Sequence, residues 1–220
     1  MSSMIPTDDI LIEQKRQAIQ AALDSAKTAT ERNRLGQFAT PNRLAIEIAR
    51  YVDALLGEDF IRFADPSIGT GSFFSAAVTV FGTKRIESAV GVELDPAFAK
   101  AAKHLWSDSG LIVVHGDFTH VVSNGLRQKA PNLILAKPPY VRHHHLTRKD
   151  KDRLQRLTKV MTGIEVNGLA GLYVYFLLLS TAWMADDGYA AWLIPSEFMD
   201  VNYGTSLKKF LADRVTLIRA

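Results

Sequence analysis

The residues best suited to chemistry follow a short apolar run, residues 133–136. Four apolar residues suffice for a strand buried on both faces of a parallel sheet. Pro138 and Pro139 end that strand, since proline cannot donate to a ladder of hydrogen bonds. Lys137 and Tyr140 flank them. The stretch therefore predicts a rigid turn and one aromatic ring at the carboxyl end of a buried strand, where open α/β sheets bind their ligands.

A second candidate is the glycine-containing loop from Asp65 to Phe73, between a predicted strand and a predicted helix. Its glycines, Gly69 and Gly71, allow close approach to a ligand, and the helix start offers free N–H groups. The spacing differs from the three-glycine dinucleotide pattern. Asp65 and Ser67 precede the glycines, and a carboxylate suits a cationic ligand better than a pyrophosphate. S-adenosylmethionine, which carries an ammonium and a sulfonium, fits this loop; the alternative is an ordinary strand-to-helix turn.

Two further carboxylates stand at the ends of predicted strands. Glu93 follows the second strand, where a carboxylate can accept two hydrogen bonds from ribose hydroxyls. Asp117 follows the third strand and can accept from an adenine amine, with Phe118 close enough to stack. Each could instead be a helix cap or a surface residue. Three carboxylates at the ends of consecutive strands favour a binding site.

The remaining elements follow from periodicity. A leading amphipathic helix is predicted, packed on the domain or on a missing partner segment. Its apolar stripe is Ile12, Ile19, Leu23 and Ala26, with Lys15, Arg16, Gln20 and Lys27 elsewhere on the wheel. Residues 36–41 end it. Thr40 is predicted to cap the next helix and Pro41 to open it. That helix runs to about residue 56, with Leu44, Ile48, Val52 and Leu55 facing inward.

Strands alternate with helices along the rest of the chain. Strands are predicted at 61–64, 89–92, 111–114, 133–136, 189–194 and 215–218, with helices at about 72–81, 96–107, 172–184 and 207–212 and a mobile loop at 163–171. This order predicts an α/β fold with a mostly parallel sheet flanked by helices. The chain ends just after its sixth strand, which would be an exposed edge. We therefore expect the sequence to be truncated there.

Composition narrows the class of protein. The chain has 220 residues, 47% hydrophobic and 22% charged, as in an ordinary globular domain. It contains no cysteine, which excludes disulfides and thiolate metal sites and fits a cytoplasmic protein. Residues 1–9 are too polar for a signal peptide, and the apolar run 169–184 is too short to span a bilayer. The net charge of +3 is too small to identify a partner.

The motifs in this order resemble those of the adenine-specific DNA methyltransferases of restriction–modification systems, in the arrangement with the cofactor motifs first. The matching stretches are residues 36–41, residues 65–73, Glu93, Asp117 with Phe118, and residues 137–140. The resemblance implies a Rossmann-like methyltransferase domain over residues 35–220, preceded by a helical segment, residues 1–34. It adds Gln37, Phe38 and Thr40 to the residues that bind S-adenosylmethionine. It also implies a target recognition domain or subunit that this sequence lacks.

One position departs from that family's pattern. The resemblance implies double-stranded DNA as partner, with the target adenine flipped into the pocket. An asparagine oxygen and a proline carbonyl would then accept hydrogen bonds from its exocyclic amine. Pro138 and Tyr140 are present, but Lys137 replaces the asparagine, and an ammonium has only donors. We expect an impaired or inactive enzyme.

The stretch after Tyr140 is basic. Arg142, His143, Arg148, Lys149 and Lys151 are predicted to contact DNA, the alternative being a solvated helix face. Three consecutive histidines, 143–145, do not point to one centre, and no carboxylate has a ligand spacing, so no metal site is predicted.

Two other functions fit these motifs. Glutamine methyltransferases that act on proteins use a similar Pro-Pro-Tyr loop. The second possibility is a non-catalytic subunit that binds S-adenosylmethionine or DNA. The motif at residues 36–41 and the basic stretch favour the DNA enzyme.

Overall fold

The chain folds around one parallel sheet. The computed structural model describes residues 7–122, 129–200 and 204–218. Five strands lie in the order β3-β2-β1-β4-β5, and each neighbouring pair is parallel. Their bounds are β1 Ile61–Asp65, β2 Ile86–Glu93, β3 Leu111–His115, β4 Leu133–Ala136 and β5 Tyr189–Trp192. The sheet confirms the predicted Rossmann-like α/β class.

Helices cover both faces of the sheet. They are α1 Thr7–Ser25, α2 Ala29–Leu35, α3 Asn42–Leu56, α4 Ser72–Phe81, α5 Pro96–Leu105, α6 Phe118–Val121, α7 Arg148–Thr162, α8 Leu172–Trp183 and α9 Thr205–Asp213. In β4, Leu133 and Leu135 pack towards α3 and α4, while Ile134 and Ala136 contact the cluster around Trp183 of α8. Burial on both faces explains the unbroken apolar run of this strand.

The amino-terminal helices differ from the prediction in two ways. The predicted single helix is two helices, because Thr28 caps α2 through a capping box with Glu31. Thr40 is not the cap of α3: Pro41 occupies that position without a side-chain hydrogen bond, and α3 begins at Asn42. An extended residue before Pro41 is expected, since proline disfavours helical backbone in its predecessor.

The structure also corrects the predicted buried stripe of α3 and the predicted sixth strand. The fully buried stripe of α3 is Ala45, Ala49, Val52 and Leu56. Val52 is buried as predicted, whereas Leu44, Ile48 and Leu55 each lie one residue before a buried position and are half-buried. The sixth strand, 215–218, does not form. These residues have no ladder partner within the described part of the chain, and the side chains of Leu217 and Ile218 are exposed. Apolar alternation can indicate a strand, but only a neighbouring strand supplies its hydrogen bonds.

The apolar run of α8 belongs to the core. Eight consecutive residues, Tyr173 to Ser180, are buried. Within the described residues, no helix has the length and apolar character needed to cross a membrane.

Candidate active site

The carboxyl ends of β1, β2, β3 and β4 open onto one cavity of about 600 Å³, the first cavity. Asp65, Glu93 and Asp117 all line it, as does Lys137 after β4. The adjacent order of these strands in the sheet brings the three carboxylates together. The volume of the first cavity lies in the usual range of small-ligand sites.

Asp65 is the most deeply buried of the three acids. Its side chain is 2% exposed, and the backbone N–H of Ser67 donates to Oδ1 at 2.9 Å. Burial raises the pKa of Asp65 to about 7, and the nearby charge of Glu93 adds to this, while the Ser67 N–H opposes it. A buried carboxyl that is costly to ionise is stabilised by a cationic ligand. The buried carboxyl of Asp65 therefore suits a ligand that carries an ammonium group.

Glu93 is held by the backbone of the loops on either side. The N–H of Gly69 donates to Oε2 at 2.9 Å and the N–H of Asp95 donates to Oε1 at 2.8 Å. Burial raises its pKa, and these two N–H groups oppose the shift. Each carboxylate oxygen keeps a lone pair for another donor. Glu93 can therefore accept hydrogen bonds from a diol without moving.

Asp117 caps α6 and is half-exposed. Its Oδ1 accepts from the backbone N–H and the hydroxyl of Thr119, at 2.8 Å and 2.7 Å. Arg153 of α7 lies 3.7 Å from Oδ2 and lines the first cavity, a role that the sequence did not suggest. Phe118 also lines the cavity, although it is only 1% exposed because its ring packs against Phe176.

Lys137 lies in the wall of the first cavity. Its Nζ is 4.7 Å from the ring centroid of Tyr140 and 5.8 Å from that of Phe38. Burial lowers its pKa to about 8, opposed by the charge of Asp65. The hydroxyl of Ser67 donates to its backbone carbonyl at 3.0 Å, which fixes the start of the loop. Pro138 is buried, and Pro139 lines the cavity beside Lys137.

Gly36 explains how the leading motif meets residues 137–140. Its φ is +63°, and a Cβ at this position would lie 2.4 Å from the backbone nitrogen of Tyr140. No side chain fits there, so the two loops touch through their backbones. Tyr140 is anchored further by its hydroxyl, which donates to the Leu193 carbonyl at 2.6 Å. Burial raises the pKa of Tyr140 to about 12.

The other residues predicted to bind a cofactor divide into two groups. Those that line the first cavity are Gln37, Phe38, Thr40, Ser67 and Gly69. Gly71 faces the other way: a Cβ there would lie 2.4 Å from Nε1 of Trp106, which donates to the Thr70 carbonyl at 2.9 Å. Packing under the loop therefore explains this glycine, and the structure places it away from the ligand side predicted for it. The sequence alone could not show which side of the loop each glycine faces.

Helix α1 holds the loop of residues 65–73 through a buried polar network. This network includes Arg16, which the helical wheel had placed off the apolar stripe. Arg16 is 2% exposed and donates to both oxygens of Glu13 at 2.7 Å and to the Thr70 hydroxyl at 3.0 Å. Ser75 of α4 donates to Glu13 at 2.5 Å. The three-residue spacing of Glu13 and Arg16 was the available signal.

Lys27 makes a second attachment. Its ammonium donates to Gln37 Oε1 at 2.7 Å, pairs with Asp95, and lies 4.9 Å from the ring centroid of Phe98. Gln37, predicted to contact a cofactor, therefore also holds the edge of the cavity in place.

A second cavity, of about 810 Å³, lies beside the first. Phe38, Val141 and His145 line both, and Tyr140 lines the second. Arg142 and His143, two of the predicted DNA contacts, also line the second cavity. Arg148 and Lys149 are exposed at the start of α7, and Lys151 is half-buried. Among the residues described, no group of three or more His, Cys, Asp or Glu side chains is placed to hold a metal ion.

The sequence matches the Eco57I restriction-modification methylase family model over residues 98–219. The type II methyltransferase M.XamI of Xanthomonas campestris pv. amaranthicola is 30% identical over 164 residues, covering 70% of this chain and 29% of that protein. The type II methyltransferase M.AccI of Acinetobacter calcoaceticus is 26% identical over 218 residues, covering 97% and 37%. The chain thus spans about a third of the length of these relatives.

A solved structure shares the fold. A protein from Listeria monocytogenes, assigned to the class I S-adenosylmethionine-dependent methyltransferases, superposes with a TM-score of 0.65 at 15% identity. The match covers 90% of this chain and 59% of that one. The parallel sheet with helices on both faces is therefore the class I methyltransferase fold.

Proposed function

The chain belongs to the Eco57I restriction-modification methylase family, and we propose that it transfers a methyl group from S-adenosylmethionine to the exocyclic amine of adenine in DNA. We further propose that the reaction is impaired by Lys137. Residues 35–220 are the methyltransferase domain in this proposal, and residues 1–34 are a helical segment that holds its cofactor loop. A target recognition domain or subunit supplies the DNA sequence preference.

One observation carries the proposal: three carboxylates border a single cavity together with Lys137 and Pro139 of the 137–140 loop. Asp65 suits the ammonium of S-adenosylmethionine, because its own ionisation needs a cationic partner. Glu93 suits the ribose hydroxyls, since two backbone N–H groups hold its oxygens in a fixed orientation. Asp117 suits the adenine amine, although Thr119 and Arg153 share its oxygens.

The second cavity provides the place for the flipped base. It adjoins the first along Phe38 and Val141, so a base there would face the transferable methyl group. The ring of Tyr140 borders it and can stack on a base, an interaction worth about 1–3 kcal/mol per base. In the enzyme pattern, an asparagine at position 137 would accept a hydrogen bond from the amine. The Lys137 ammonium instead places a positive charge near a nitrogen that becomes positive during transfer.

Titration calorimetry with S-adenosylmethionine tests the cofactor assignment. We expect saturable binding that Glu93→Ala or Asp117→Ala weakens by roughly tenfold or more, since a hydrogen bond to a charged group contributes about 1.5–3 kcal/mol. Glu87→Ala is the matched control, because Glu87 is an exposed acid near the amino end of β2, away from the cavity. No binding by a folded sample would contradict the proposal. Methyl transfer to DNA and to protein substrates, with asparagine at position 137, then identifies the substrate class.

A further inference from the structure

The nitrogen of Lys137 lies where the two cavities meet. Lys137 lines the first cavity, which carries the three carboxylates. The rings of Phe38 and Tyr140, over which its Nζ lies, line the second. An acceptor nitrogen in a methyltransferase must occupy this boundary, between the bound cofactor and the substrate. Lys137 thus brings an amine of the protein itself to the acceptor position.

We propose that Lys137 is a methyl acceptor, methylated on Nζ by the S-adenosylmethionine bound to its own chain. This inference rests on the cofactor binding proposed above. It assigns to Lys137 a self-modification in place of the hydrogen bond that an asparagine would accept.

The step balances without any further reactant. The ammonium of Lys137 first loses a proton to solvent, which its half-buried side chain reaches. The Nζ lone pair then forms a bond to the methyl carbon, and the carbon–sulfur bond breaks with its electron pair passing to sulfur. The products are methylated Lys137 and S-adenosylhomocysteine. After S-adenosylhomocysteine is exchanged for a second S-adenosylmethionine, the new secondary ammonium can lose another proton and accept a second methyl group.

The surroundings of Lys137 favour both halves of this reaction. Burial lowers its pKa to about 8, so a substantial fraction of the amine is neutral at mildly alkaline pH. Once methylated, the ammonium is less well hydrated and is attracted by the negative faces of aromatic rings, as in methyl-lysine recognition sites. Phe38 and Tyr140 supply two such faces. Within the described residues, no carboxylate forms an ion pair with Nζ, and the charge of Asp65 opposes the effect of burial only in part.

Tandem mass spectrometry after incubation with isotopically labelled S-adenosylmethionine provides the main test. We expect label on Lys137, appearing at a rate independent of protein concentration and at least about 100-fold faster than on exposed lysines, since the amine is held at the cofactor. Lys149 and Lys159 serve as exposed internal controls. Lys137→Arg should abolish the label, and Glu93→Ala should reduce it in parallel with cofactor affinity.

Three outcomes separate this inference from the proposed function. Label on Lys137 supports it. Cofactor binding by calorimetry with Lys137 unlabelled, or labelled no faster than Lys149, overturns the inference but leaves cofactor binding intact. No cofactor binding overturns both.

A cofactor-free readout checks the geometry on which the inference stands. Reductive methylation with ¹³C-formaldehyde turns each lysine into a dimethylamine visible by NMR. The Lys137 signal, identified by its absence in Lys137→Arg, should be shifted by the ring currents of Phe38 and Tyr140, and Phe38→Ala should reduce that shift. A signal within the cluster of exposed lysines would overturn the placement of Nζ and the inference with it.

Discussion

The first cavity has two unlike walls. On the cofactor wall, built by β1 to β3, backbone N–H groups fix Asp65 and Glu93, and α1 braces the loop through Arg16 and Thr70. On the acceptor wall, residues 137–140, the backbone is equally fixed but the Lys137 nitrogen rests over ring faces. In the cofactor wall, the side chains form one hydrogen-bonded network, so a substitution there disturbs several residues at once. In the acceptor wall, a single substitution at position 137 can change the chemistry while the fold persists.

The largest expected effect comes from removing the buried ion pair in α1 that supports the cofactor wall. Arg16→Met leaves Glu13 buried without its charged partner, and removing one partner of a buried pair costs about 3–5 kcal/mol. Urea denaturation should show this loss as a lower midpoint. Arg43→Met is the matched control: its helical ion pair with Glu47 is 92% and 56% exposed, so a change below about 1 kcal/mol is expected. Equal losses in the two variants would mean that α1 does not brace the loop.

The acceptor wall should respond in activity instead of stability. Together with the proposed target recognition domain or subunit, Lys137→Asn should raise methyl transfer to adenine by about 10²–10³-fold, the usual contribution of one preorganised hydrogen-bonding partner. The substitution also removes the repulsion between the Lys137 ammonium and the adenine nitrogen that becomes positive during transfer. For two charges about 4 Å apart, this repulsion is at most roughly 4 kcal/mol. Labelled cofactor and duplex DNA measure the rate. Lys84→Asn, at the amino end of β2, is the control and should leave turnover unchanged. Equal rates for the parent and the Lys137→Asn variant would show that Pro138 and Tyr140 suffice.

The sequence predicted the parts of this comparison that depend on local patterns. The apolar runs and the Gly and Pro residues after them located β1 to β4, and hence the edge where Asp65, Glu93 and Asp117 meet. The departure at Lys137 was visible because its neighbours are so distinctive. These features needed no knowledge of distant contacts.

Features that depend on a partner far along the chain were not predictable. Arg16 is hydrophilic, and nothing near it in sequence shows that Thr70 and Ser75 would lie against its helix. Arg153 follows several other basic residues in the sequence and is not distinguished from them there, yet it faces Asp117. Residues 215–218 have the pattern of a strand, but no neighbour pairs with them in the described part of the chain.

The burial of Asp65 in the cofactor wall should appear as a pH dependence of stability. The folded pKa of Asp65 is raised to about 7 from 3.8, so native Asp65 keeps its proton between these values while unfolded Asp65 loses it. Its contribution to stability therefore falls as pH rises from about 4 to 7. Lys137 acts in the opposite sense: its folded pKa of about 8, lowered from 10.5, makes stability rise between those values. Their combined contribution should be lowest between pH 7 and 8.

Asp65→Asn isolates the carboxylate part of this dependence. Without ligand, the variant should equal the parent near pH 4 and exceed it near pH 7 by at most about 4 kcal/mol, since one pKa unit is about 1.4 kcal/mol. With S-adenosylmethionine present, the advantage should shrink, because only the carboxylate pairs with the ligand's ammonium. Denaturation midpoints across this pH range measure both. A difference that does not vary with pH would contradict the shifted pKa.

The contact between the leading motif, residues 36–41, and the acceptor wall has a smaller, structural effect. Gly36→Ala places a Cβ against the backbone nitrogen of Tyr140 and also strains a φ of +63°. Gly163 has a similar left-handed backbone, with φ +73° and ψ 2° against +63° and 26° at Gly36, and nothing lies within 4 Å of a Cβ added there. Gly163→Ala therefore measures the conformational strain alone, about 1–2 kcal/mol. We expect the Gly36 variant to lose about 1–3 kcal/mol more, the usual cost of overpacking. Equal thermal shifts would show that the loops separate freely.

The smallest expected effects concern the cations beyond the acceptor wall. Arg148 and Lys149 open α7, where the helix dipole disfavours positive charge by about 0.3–1 kcal/mol each. An unfavourable position of this kind fits residues that meet phosphate. Arg148→Ala or Lys149→Ala should therefore raise the free energy of unfolding by a few tenths of a kcal/mol. Each variant should also reduce the magnitude of the slope of log DNA affinity against log salt concentration, by about one for each phosphate that it no longer binds. Binding should weaken equally on unrelated DNA sequences, because phosphate contacts carry no sequence information. Arg43→Ala, at an exposed residue of α3, should leave the slope unchanged. If the α7 variants keep the parent's slope, these cations are only a solvated helix face, and the proposed DNA contacts reduce to Arg142 and His143 at the second cavity.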